Sequence, residues 1–359
     1  MSVSEYFADD YAGAREAFIR AADRAGARRA SYPHPSARGP AGEALSIDVA
    51  MLGPESAEHV LLVLSGTHGA EGFCGSGCQV GLLEDRLHES LPQRVGLVLV
   101  HALNPHGFAW LRRVNEDGVD LNRNFVDFSK PLPDSSGYER LHEWLVPRDW
   151  QGEGRRAAEA AIADYVRAHG ERAFQAAVSG GQYTRPTGLF YGGTSRTWSA
   201  RTLARLLREC LSPALARLAV LDLHTGLGPT GYGEPIAMGS DAGCARARRW
   251  YGADVKSLAG GESISAAVVG TVPNGVVEAR PDVETTYVAL EFGTRPIGAV
   301  LDALRGDHWL ATRPDANDAA RASIKHALRD AFYVDTPAWR AAVYGRTADF
   351  AYRALLQLA

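Results

Sequence analysis

Cysteine is scarce in this sequence. Four residues (Cys74, Cys78, Cys210 and Cys244) are scattered through 359, which makes no disulfide framework. No apolar run approaches the roughly 18 residues that a membrane span requires. The segment from Met1 to Arg29 is charged throughout and lacks the apolar stretch of a secretory leader. Charge of one sign is not in excess either: the formal net charge is −4, too weak a field to recruit nucleic acid. Repeats, low-complexity tracts and clear linkers are also missing. The expectation is a reduced, cytoplasmic protein with neither nucleic-acid nor membrane partners, and its oligomeric state stays open. With 46% hydrophobic and 22% charged residues the composition is ordinary for a globular chain. We read residues 1–359 as a single domain, with a core over about 45–310 and a mostly helical segment over 311–359.

The apolar runs are short and end in turns. Leu45–Leu52, VLLVLS (Val60–Ser65), VGLVLVHA (Val95–Ala102), LAVLDL (Leu218–Leu223) and TTYVALE (Thr285–Glu291) are strand candidates. Most are apolar enough to be buried on both faces. Helical spacing or alanine-rich composition predicts helices over residues 9–29, 77–88, 154–178 and 199–210, and over most of the chain after Pro296. Residues 179–198, SGGQYTRPTGLFYGGTSRTW, read as a long ordered loop. Apolar strands separated by helices imply an α/β fold, with a mostly parallel or mixed central sheet and helices on both faces. In such sheets ligands bind beyond the carboxyl ends of the strands. His68, Asn104, His224 and Glu291 all fall at such ends, which points to one shared site.

His68 and Glu71 stand as H-x-x-E within the glycine-rich turn GTHGAEG. An imidazole and a carboxylate on one tight turn can reach a common ion, the glycines at 66, 69 and 72 letting the backbone bend. A catalytic zinc needs a third protein ligand and an open position. His224, closing LAVLDLH, is the best candidate, because a neighbouring parallel strand delivers it to the same edge. Taken alone, H-x-x-E recurs by chance. Asp222 shares a strand face with His224 and could orient a histidine, or simply be a surface acid. Cys74 and Cys78, and likewise His101 and His106, read as buried or hydrogen-bonded neighbours rather than ligands.

The run NPHGFAWLRRVNEDGVDLNRNF (residues 104–125) closely resembles the N-P-x-G…R-x-N-x-x-G-V-D-L-N-R-N-F signature of the zinc carboxypeptidase superfamily. The order around it agrees: H-x-x-E upstream, a strand-end histidine downstream, then a glutamate closing a late strand. Together these span about residues 60–295. The whole looks most like a bacterial branch related to the succinylglutamate desuccinylase/aspartoacylase group. The resemblance implies a zinc-carboxypeptidase-like fold and one Zn2+ per chain on His68, Glu71 and His224, the His₂Glu set of carboxypeptidase A. It also implies Glu291 as the base acting on water, Arg113 as the oxyanion partner, and Asn122 with Arg123 as the clamp for a substrate carboxylate.

One departure stands out. Carboxypeptidases carry a mobile tyrosine upstream of the catalytic glutamate, and VVGTVPNGVV (residues 268–277) has none. Tyr287 is expected to pack into the sheet. Tyr183 or Tyr191 could replace the missing hydroxyl, and Gln182, Tyr183, Arg185, Tyr191 and Trp198 are expected to line the substrate pocket. The implied activity is a metallo-carboxypeptidase acting on small peptides. An N-acyl amino acid deacylase of the aspartoacylase kind is the alternative, and an inactive binding module the third reading.

Overall fold

The computed structural model describes residues 2–257, 263 and 268–359. Eight strands form one sheet: β1 (Arg28–Arg38), β2 (Ala44–Leu52), β3 (His59–Leu64), β4 (Val95–His101), β5 (Arg217–Thr230), β6 (Gly233–Met238), β7 (Lys256–Ser257) and β8 (Glu284–Gly293). Their spatial order is β1-β2-β4-β3-β5-β8-β6-β7. The central four, β4, β3, β5 and β8, run parallel. Antiparallel pairing takes over outside them, through β2 and β1 on one side and β6 on the other.

The central strands are uncharged over most of their length because helices cover both faces. The two-residue period of β3 shows it directly. Leu61 and Val63 pack with Phe18, Leu82 and Phe350, from helices Tyr11–Arg24, Gly72–Glu84 and Pro337–Leu358. Leu62 and Leu64 point the other way, to Leu203, Leu207 and Val276 of helices Trp198–Glu209 and Val272–Ala279. A third cluster, with Tyr138, Leu141, Val178, Leu304, Leu328 and Phe332, joins helices beyond the sheet's carboxyl edge. Helices Glu171–Ser179 and Ile297–Ala311 are among them.

The fold class is the expected one, a mixed sheet between helical layers. Four local features differ from the sequence-based expectation. The helix anticipated over 154–178 is two, Glu153–His169 and Glu171–Ser179, parted at Gly170 with φ +86°. Strand β1 was not anticipated: its sequence RRASYPHPSAR is polar and holds two prolines, which only an edge strand tolerates. Strand β6 and helix Asp241–Tyr251 were not anticipated either. Among the described residues, no helix is long and apolar enough to cross a membrane.

Candidate metal centre

The parallel strands deliver the site. β3 leads into the His68 turn, β4 into Asn104, while His224 and Glu291 are direct register partners on β5 and β8. After His68 the chain makes one 3-10 turn, Gly69–Glu71, and then enters helix Gly72–Glu84. Glu71 N donates to His68 O at 3.2 Å, closing the turn. Of its glycines, Gly66 needs its conformation, with φ +62°. Gly69 and Gly72 are needed for close approach instead. A Cβ at Gly69 would sit 1.9 Å from the Gly107 carbonyl carbon, and one at Gly72 would enter the Phe108 ring at 2.5 Å. That approach pins the signature segment to the turn, with Gly69 N and Ala70 N donating to the carbonyls of Arg113 and Arg112.

His68, Glu71 and His224 are buried, and their ligand atoms lie within 4.8 Å of one another. His68 Nδ1 is 2.8 Å from Glu71 Oε1, and His224 Nδ1 is 2.9 Å from Glu71 Oε2. The outer nitrogens face two further buried carboxylates: His68 Nε2 lies 3.1 Å from Asp120 Oδ1 and His224 Nε2 2.8 Å from Asp222 Oδ2. Carboxylate, histidine, then an inward ring nitrogen is the arrangement that fixes imidazole tautomers around a cation. Arg113 Nη2 also lies 2.8 Å from His68 Nε2. That nitrogen carries either a proton or a lone pair, so a given tautomer bonds only one of the two. Coordination through Nδ1 would put the proton on Nε2 and select Asp120. Two inward imidazole nitrogens and one carboxylate are a donor set suited to a divalent metal ion.

The electrostatics follow from packing these charges together. Burial alone would raise the Glu71 carboxyl, but His68 and His224 outweigh it and hold it well below the usual range. Asp120 is likewise held low against burial by Arg113 and His68. Burial pulls the His224 imidazole down, yet Asp222 and Glu71, one at each nitrogen, carry it well above its ordinary value. Glu291 goes the other way. Burial, then the negative charge of Glu71, push it up to about 7, while Leu227 N donates to its Oε1 at 3.1 Å.

These groups open onto a cavity of about 430 Å³, within the usual span of small-molecule sites. His68, Glu71, Arg113, Asn122, Arg123, His224 and Glu291 all line it. Arg113 is anchored through Nε to Asp120 Oδ2 at 2.9 Å and through Nη1 to Glu71 Oε1 at 3.2 Å. Its neighbour Arg112 pairs with Asp307 at 2.9 Å instead. Arg123 is 4% exposed and rests over the Phe190 ring, 5.3 Å from its centroid. Nη1 donates to Asn122 O and Nη2 to Ser179 O, leaving Nε buried without a partner. A guanidinium has five N–H groups, so among the described residues three donors stay unspent. Asn122 Oδ1 accepts from Val272 N at 2.9 Å.

The loop at 179–198 is ordered, but the structure corrects the residues expected to face substrate. Gln182, Tyr183 and Tyr191 do not line the cavity. Gln182 is fully buried and braces the loop, its Nε2 donating to Arg185 O and Leu189 O. Tyr183 OH donates to Arg123 O at 2.8 Å, and the backbone of Tyr191 pairs with Gln182 and accepts from Asp120 N. Arg185 pairs with Glu139, and Trp198 begins a helix beside the His34 ring. Phe190 and Ser179 are the loop's contribution to the cavity.

Three supporting groups carry no role in the sequence-based expectation. Asp120 stands in the signature itself, where it holds His68 and Arg113 and caps Asn122 N at 2.9 Å; its place two residues before Asn122 was the available signal. Tyr287 packs into the sheet as expected, but its hydroxyl also donates to Asp222 Oδ2 at 2.6 Å. Thr67 Oγ1 donates to the other oxygen at 3.0 Å. No local pattern marks that contact, which depends on the register of β5 with β8. His101 and His106 stay outside the cluster: His101 meets Ser76 at 2.9 Å, and the His106 ring is tilted against that of Trp110. Cys74 and Cys78 are buried, free thiols in the core.

Comparison with known proteins adds the following. A search of the curated proteins finds no match. Among solved structures, a candidate succinylglutamate desuccinylase/aspartoacylase from Shewanella frigidimarina is similar at 18% identity and TM-score 0.38, over 80% of this chain and 71% of that one. Bovine thrombin-activatable fibrinolysis inhibitor, solved with a tick carboxypeptidase inhibitor, is similar at 12% identity and TM-score 0.47, over 97% and 99%. Carboxypeptidase A from Helicoverpa armigera matches at 13% identity and TM-score 0.43, over 88% and 71%. The family model that matches, over residues 7–346, is the one described as Protein of unknown function (DUF2817), and the chain belongs to that family.

Proposed function

We propose that this chain is a metal-dependent hydrolase that cleaves an amide bond next to a free carboxylate, with one zinc ion on His68, Glu71 and His224. The observation that carries this reading is a convergence in one cavity. Three inward ligand atoms, a half-buried glutamate with a raised pKa and an arginine with unspent donors all meet there. A bound ion would supply acidification of water and polarisation of the scissile carbonyl. Arg113, held rigid by Asp120 and Glu71, presents its remaining N–H groups to the developing oxyanion. Glu291 takes the proton from water on its carboxylate and passes it to the leaving nitrogen, a role that a pKa near neutrality suits. Arg123 and Asn122 receive the carboxylate, since a guanidinium fork makes a planar bidentate pair with it.

The activity we favour is that of a metallo-carboxypeptidase for small peptides. The same groups would serve an N-acyl amino acid deacylase, and the modest cavity volume is the observation that keeps that second reading open. The test is hydrolysis of a panel of dipeptides and N-acyl amino acids by zinc-loaded protein, before and after chelation. Turnover that needs both the metal and a free substrate carboxylate supports the proposal. A protein with one zinc per chain and no turnover anywhere in the panel is a binding module instead.

A further inference from the structure

The walls of the cavity bear on which amides it accepts. Among the described residues, the lining holds two arginines, Arg113 and Arg123. Asp120 and Glu71 already balance the charge of Arg113, so beside the proposed metal ion one side-chain cation remains to pair with a substrate anion. The other charged groups of the lining, apart from the two histidines, are acids: Glu71, Glu291 and, where helix Glu171–Ser179 begins, Glu171. The rest is largely apolar and comes from two directions. Phe174 and Val178 of helix Glu171–Ser179 face the cavity with Leu301 and Leu304 of helix Ile297–Ala311, and Ile236 and Ala289 do so from the sheet. Ile236 and Ala289 are register partners on β6 and β8, and Ala289 stands two residues before Glu291 on the same strand face. An apolar surface thus adjoins the proposed base directly.

We infer that the site selects substrates with a single carboxylate and a bulky aliphatic or aromatic group, and rejects those with a second acidic group. The inference rests on the reading above in which Arg123 receives the carboxylate. A second carboxylate would be buried against leucine and phenylalanine with no cation, beside glutamates of its own sign, and such a group is strongly disfavoured. An aliphatic or aromatic group gains from the same surface in proportion to the area it buries.

The experiment measures binding to the full-length, zinc-loaded protein by calorimetry, for N-acetyl derivatives of leucine, phenylalanine, alanine and aspartate, with hydrolysis followed in parallel. Leucine and phenylalanine compounds should bind at least about tenfold tighter than alanine, the scale on which apolar pockets discriminate, and aspartate weaker than alanine. Leu301→Arg, at a partly buried position, should move the aspartate-to-leucine ratio by at least about tenfold toward aspartate by giving the wall a cation. Aspartate binding as well as leucine, a leucine gain under about twofold over alanine, or no shift in Leu301→Arg overturns the inference. The two readings fail separately. Apolar preference in binding without hydrolysis removes the hydrolase and keeps the specificity, whereas preferred hydrolysis of the aspartate compound does the reverse.

Discussion

Replacing Glu291 by glutamine removes one proton acceptor and changes little else. The amide has nearly the same shape, and its carbonyl can still accept from Leu227 N, as Oε1 now does at 3.1 Å. The repulsion with Glu71 that helps raise the Glu291 pKa disappears, so stability should stay within about 1 kcal/mol of wild type or rise slightly. Glu291 is not one of the three clustered ligands, so metal content should remain at the wild-type level. Turnover should not survive. A positioned general base contributes about 10²–10⁴ in rate, which is roughly 3–5 kcal/mol of barrier. The assay pairs kcat/KM on the best substrate of the panel with metal per chain and thermal melting on the same preparation. Glu291→Gln with full metal, an unchanged melt and kcat/KM within about tenfold of wild type would refute Glu291 as the base.

Arg123→Lys keeps the charge but loses the fork. Its kcat/KM should fall about 10–100-fold, the value of about 1.5–3 kcal/mol for hydrogen bonds to a charged group, and the loss should vanish for a substrate whose carboxylate is blocked as an amide; an equal loss on both denies it the clamp role. Tyr287→Phe removes the hydroxyl that braces Asp222 behind His224, so zinc affinity should drop about tenfold while the fold holds; chelator competition reads it, and an unchanged Kd contradicts it. His101 is fully buried, and burial lowers its pKa to about 4. As pH falls the unfolded chain therefore takes up that proton first, near pH 6.5, and stability drains away until the folded imidazole titrates. The loss from this group is about 3 kcal/mol between pH 6.5 and 4. Urea unfolding across that range should show a smaller pH slope in His101→Gln; an identical slope rejects the assignment.

Some of this architecture is legible in the sequence because physics writes it locally. The central strands are nearly charge-free runs, since both of their faces are covered, and their ends carry the polar residues. Strand β1 is not legible because an edge strand needs neither alternation nor freedom from proline, and β6 takes its identity from pairing with β8. The candidate ligands divide in the same way. His68 and Glu71 share one turn and can be read together, while His224 needed the strand order. The loop at 179–198 shows the limit most clearly. Its glycines and turn residues announce a loop, but which side chains brace it and which face the cavity depends on contacts far away in sequence. Tyr183 reaches back to Arg123 O, Gln182 holds the loop together, and Phe190 takes the inward position under two arginines.

Every role proposed above depends on His68, Glu71 and His224 together holding one divalent ion. The most direct measurement is zinc per chain, after dialysis against a weak chelator, for wild type and for His224→Ala. One zinc is expected in the wild-type chain and none held tightly in the variant, because two donors in place of three cannot build a closed enough site. A His224→Ala chain that still carries one zinc through the same dialysis would contradict it.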